Sequence, residues 1–61
     1  MAQITCKELS ALSDLLNMEE TLAAKFEYYA QVSTDQTVKS KFENLAQTHQ
    51  KHYDELYANL H

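Results

Sequence analysis

Three side chains in this 61-residue sequence interrupt apolar runs at positions where a metal ion could use them: Glu19, His49 and His52. Glu19 falls within the run Leu9, Leu12, Leu16, Ala23, Phe26 and Ala30, whose three- and four-residue steps mark one face of a helix. His49 and His52 fall in a second such run, with Val38, Phe42, Leu45 and Leu56, and stand one turn apart on one helical face. Imidazole and carboxylate together suit iron, zinc or manganese. They can equally hydrogen-bond to one another and fix the register of packed helices. The sequence leaves both readings of these three residues open.

The neighbouring candidates are weaker. Glu55 extends the pattern to His-x-x-His-x-x-Glu and would reach the site only from its margin. Tyr29 lies on the apolar face, where its hydroxyl could donate to the Glu19 layer. Tyr53 and Tyr57, one turn apart, read as packing residues. Glu20 points about 100° away from Glu19 and belongs to a solvated face. Cys6 is the single cysteine, so neither an intrachain disulfide nor a Cys-His zinc knuckle can form. No strand or strained turn offers a nucleophile to a Ser/His/Asp arrangement, and no catalytic residue is assigned.

Two elements must position these groups. Thr5-Cys6-Lys7-Glu8 fits a Thr-x-x-Glu capping box and opens a helix expected over 6–33. Ser33-Thr34-Asp35 is the one break signal, and Asp35 is placed to cap a second helix expected over 36–60. The apolar stripe of the first helix also takes in Leu15, Leu22 and Tyr29, and that of the second ends at Leu60. A link of two or three residues makes the helices antiparallel neighbours. Folding the chain at position 34 sets Glu19 and His49 fifteen residues from the turn on either side, roughly 22 Å along the axis. The fold expected is therefore an all-α helical hairpin, a single domain over 1–61.

Composition narrows the partners. With no glycine and no proline, hairpin-rich β folds and Gly-rich phosphate loops are excluded. Five lysines, no arginine and a net charge of −4 provide no cationic surface for nucleic acid. No apolar run reaches the length of about 18 residues expected of a membrane span. The first ten residues lack the pattern of a secretory leader, so a reducing, cytoplasmic setting is expected. A chain this short seldom stabilises a core by itself. Both stripes are also too wide for one helix–helix contact. The expected partner is a second copy, two hairpins forming a homodimeric four-helix bundle with the Glu19, His49 and His52 layers at its centre.

The same residues carry a family resemblance. Ferritin-like di-iron proteins supply a glutamate from one helix and a Glu-x-x-His pair from the next. This sequence resembles that pattern with Glu19 and His52, while His49 stands where the family has glutamate. A nearer likeness is to the spore coat protein F family, a small ferritin-like group. It rests on Phe26-Glu-Tyr-Tyr-Ala30, Ser33-Thr-Asp35, Lys41-Phe-Glu-Asn-Leu45 and Thr48-His-Gln-Lys-His52, within residues 15–57. The turn lacks the proline of that family's pattern. The resemblance implies a structural or interaction protein of spore-coat type, located in the cytoplasm or on the spore, meeting itself and other coat proteins. It is compatible with a transition metal in the core. The alternatives are a ferritin-like oxidoreductase or storage protein with a dinuclear site, and a plain dimerisation module. An enzymatic role is the less favoured because His49 removes a carboxylate.

Overall fold

The computed structural model describes residues 4–60; residues 1–3 and 61 of the expected domain lie outside the described residues. Two helices, α1 (Cys6–Val32) and α2 (Gln36–Ala58), form an antiparallel hairpin with extents of 47 × 17 × 11 Å. The all-α hairpin expected from the sequence is the fold observed.

Local chemistry sets each helix end. At the start of α1 the Thr5 hydroxyl accepts from the Glu8 N–H at 3.1 Å, and the Glu8 carboxylate accepts from the Thr5 N–H at 3.1 Å. This reciprocal arrangement satisfies two backbone donors that have no partner inside the helix. It also holds the Glu8 carboxyl below its ordinary pKa, the bond from Thr5 being the main cause. The helix ends at Val32, one residue before the expected boundary. Ser33 turns to an extended conformation, and its hydroxyl donates to the Tyr29 carbonyl at 2.6 Å. Asp35 then caps α2, its carboxylate accepting from the Val38 N–H at 2.9 Å. That helix closes at Ala58 rather than at 60. The Asn59 amide donates to the Glu55 carbonyl at 2.9 Å, and its backbone N–H turns to Leu56 and Tyr57.

The seam between the helices is narrow. From α1 it buries Leu12, Leu16, Glu19, Ala23 and Ala30; α2 contributes half-buried Phe42, Ala46, His49, Tyr53 and Leu56. No α2 residue is fully buried. Leu9, Leu15, Tyr29, Val38, Leu45 and Leu60, which share the apolar stripes, remain exposed. The hairpin has two unlike flanks. On one, Ala23, Ala30 and Ala46 floor a shallow groove edged by Glu27, Lys39 and Gln50. On the other, Leu15 and Leu56 border Glu19 and His52. The helical step of about 100° brings Met18, Leu22 and Leu45 to this second flank as well.

Candidate metal centre

Glu19 is the middle residue of α1 and keeps only 7% of its surface exposed, between Leu16 and Ala23 on the seam. Its two carboxylate oxygens are divided between two imidazoles from α2. His49 Nδ1 lies 2.6 Å from Oε1, and His52 Nδ1 lies 3.0 Å from Oε2. An ionised carboxylate only accepts, so both Nδ1 atoms carry hydrogen in this arrangement. The bond from His49 is the largest influence on Glu19. Aided by the charges of both histidines, it outweighs desolvation and holds the Glu19 carboxyl below its ordinary value. Burial alone would have pushed it the other way.

The three residues are brought together by the turn. Equal offsets from position 34 set Glu19 and His49 at one height, as the sequence spacing predicts, and the i, i+3 step carries His52 to the same carboxylate. The rest of the layer is aromatic. The Phe26 ring stacks on His49 with centroids 5.5 Å apart and planes 17° apart. It also stacks on Phe42 at 6.0 Å, which fixes the imidazole from the turn side. The two histidine rings stand edge to face at 5.6 Å. The His52 side chain is 46% exposed against 22% for His49, so it marks the open edge of the site.

The other candidates fall outside this cluster. Tyr29 does not reach the layer, because it sits nearly three turns further along α1. Its ring packs against Phe42 at 5.4 Å and Phe26 at 6.4 Å instead. Glu55 is exposed and lines the groove beside His52 without joining the three. Glu20 is exposed, as its position beside Glu19 predicts, and Cys6 is an exposed free thiol. Phe26, which the sequence places in the same apolar run as Glu19, completes the layer. Its place seven residues after Glu19, on the same helical face, was the available signal.

Chemically the cluster can do two things. One potential ligand atom from each of Glu19, His49 and His52 lies within 4.8 Å of the other two. That spread is compatible with one ion at ligand distances of about 2.0–2.2 Å after small rotamer adjustments. Metal bound through Nδ1 would displace the hydrogens now donated to Glu19, so metal and protons compete for the same atoms. Without metal, the three form a closed hydrogen-bonded layer, and among the described residues no buried side-chain polar atom lacks a partner. Within one hairpin the cluster has a single carboxylate, too little negative charge by itself for a pair of ferric ions. The chain matches no family model, no curated protein and no solved structure. No helix among the described residues is long and apolar enough to cross a membrane.

Proposed function

We propose that the protein is a small structural or interaction protein of spore-coat type, a homodimeric four-helix bundle that holds a transition-metal ion at Glu19, His49 and His52. The observation that carries the metal reading is a buried mid-helix carboxylate with an imidazole on each oxygen. The coat-type part rests on the resemblance over residues 15–57, and other coat proteins are its further partners.

The dimer is supported by surface area. The hairpin presents 4856 Å² to solvent. A compact monomer of 7.1 kDa would present roughly 4,080 Å². The excess of about 780 Å² is close to the roughly 800 Å² that each partner contributes to a standard interface. The exposed Leu15, Met18 and Leu45 supply apolar surface for it.

Elemental analysis by plasma mass spectrometry on untagged protein, purified without chelator, tests the metal reading. One or two ions per dimer are expected, and the His49→Ala/His52→Ala double variant should lose them. Protein that takes up no iron, zinc or manganese after incubation has a hydrogen-bonded layer and no metal centre.

A further inference from the structure

The apolar flank carries its charges in an order that restricts how a second copy can lie on it. At about 100° per residue, Lys25 and Asp14 fall on the outer margin of that flank in α1, beyond Leu15 and Leu22. Lys41 and Glu55 fall on the corresponding margin of α2, beyond Leu45 and His52. All four are exposed, and none forms an ion pair with a described residue. Counting about 1.5 Å per residue from the turn, Lys25 and Lys41 lie roughly 14 and 11 Å away, and Asp14 and Glu55 roughly 30 and 32 Å away. Of these four, the two lysines lie toward the turn and the two acids toward the open end. Lys7 shares the azimuth of Lys25 but lies roughly 40 Å from the turn, beyond both acids and level with none of a second copy's described charged residues in either arrangement below. The midpoint of each Lys–acid pair lies about 21 Å from the turn, close to the level of Glu19 and His49.

Two identical hairpins can meet through this flank about either of two two-fold axes. An axis along the helices lays α1 over α2 of the second copy, with both turns at one end. Lys25 then faces Lys41 and Asp14 faces Glu55, so all four contacts are between like charges. An axis across the helices, at the level of Glu19, lays α1 over α1 and α2 over α2 with the turns at opposite ends. Lys25 then faces Asp14 of the second copy and Lys41 faces its Glu55, each pair occurring twice. The same placement brings Leu15 against Leu22 and Leu45 against His52 between copies.

Resting on the dimer reading above, we propose that the second copy docks on the Leu15–Leu22–Leu45 flank with its turn at the opposite end, selected by reciprocal Lys25–Asp14 and Lys41–Glu55 pairs. Exposed ion pairs contribute little affinity, so the apolar area holds the dimer and the charges choose its sense. Because the axis passes near Glu19, the open His52 edge of each site lies against Leu45 of the other copy, and each site is closed by the other hairpin.

A distance measurement and a charge swap test this together. The full chain carries Cys6→Ser and a nitroxide label at Thr37→Cys, an exposed position in the first turn of α2. Opposite turns place the two labels about 35 Å apart, and turns at one end place them within about 25 Å. Lys25→Glu should raise the dimer dissociation constant about fivefold, and adding Asp14→Lys should restore it. A short label distance, or a tighter Lys25→Glu dimer, overturns the orientation and leaves the dimer itself standing. A monomeric mass by sedimentation, with no dipolar distance, overturns both.

Discussion

Leu15 and Leu16 are adjacent in sequence, yet the hairpin leaves the first 43% exposed and the second 9%. Truncating each to alanine separates what the hairpin stabilises from what a second copy stabilises. Leu→Ala removes three carbons, about 2.4 kcal/mol of burial at a fully covered site. Leu16→Ala should cost at least that, and toward 3–4 kcal/mol if a cavity remains. For Leu15 in an isolated hairpin, a little over half the side chain is covered, so the burial cost is about 1.3 kcal/mol. Alanine's slightly better helix propensity reduces it further. A covered Leu15 costs the full 2.4 kcal/mol or so, close to Leu16. At about 4–8 °C per kcal/mol for a domain of this size, the Leu15→Ala shifts expected are roughly 5–10 °C for the hairpin alone and 10–20 °C for the dimer. The assay is thermal unfolding followed by far-ultraviolet circular dichroism at protein concentrations spanning two orders of magnitude. We expect a Leu15→Ala loss close to that of Leu16→Ala, and melting temperatures that rise with concentration. A Leu15→Ala loss below half that of Leu16→Ala, independent of concentration, would refute the covered flank.

Three further outcomes are expected. Glu19→Leu lowers the melting temperature of metal-free protein, since it leaves both imidazoles without their carboxylate partner in a site that the second hairpin covers. The same change removes any rise in melting temperature on adding zinc, and a persisting zinc effect would place the metal elsewhere. The Glu19 and Glu8 carboxyls are both held below the ordinary value of 4.5. Their stabilisation is complete above that value and is lost as pH falls through the lowered folded-state values. Melting temperature should therefore drop on acidification below about pH 4.5, and Glu19→Gln should flatten part of that drop. Asp35→Ala removes the α2 cap at a cost of about 1 kcal/mol, or roughly 4–8 °C, while Asp35→Asn retains most of it.

Much of this arrangement was legible before folding because helical geometry converts sequence offsets into heights. The offsets of Glu19 and His49 from the turn are equal, and the helix ends announce themselves through Thr5, Ser33 and Asp35, whose side chains bond to backbone groups. What the periodicity did not yield is azimuth. A stripe wide enough to contain both Leu15 and Leu16 does not say which side of it faces the other helix, because that depends on where the two stripes meet. Tyr29 failed for a related reason. Sharing a face with Glu19 does not place it at the same height, and ten residues of helix separate them. The helix ends differed by one and two residues, at Ser33 and Asn59, where side chains take up the last carbonyls.

The three-residue link between α1 and α2 also determines the order in which the hairpin can assemble. Phe26, Tyr29 and Phe42 lie close to the turn, with Phe26 and Phe42 only sixteen residues apart, so their rings meet after a short loop closes. The Glu19–His49 bond spans thirty residues and forms once the helices are already aligned. Contacts this local belong to chains that fold in microseconds to milliseconds, with closure running from the ring cluster toward Leu12 and Leu56. Opening runs the other way: the Thr5 and Asn59 ends separate first. Amide hydrogens around Phe26 and Phe42 are then the last to exchange with solvent, and the carboxylate–imidazole layer lies on the boundary between the quickly and slowly exchanging halves.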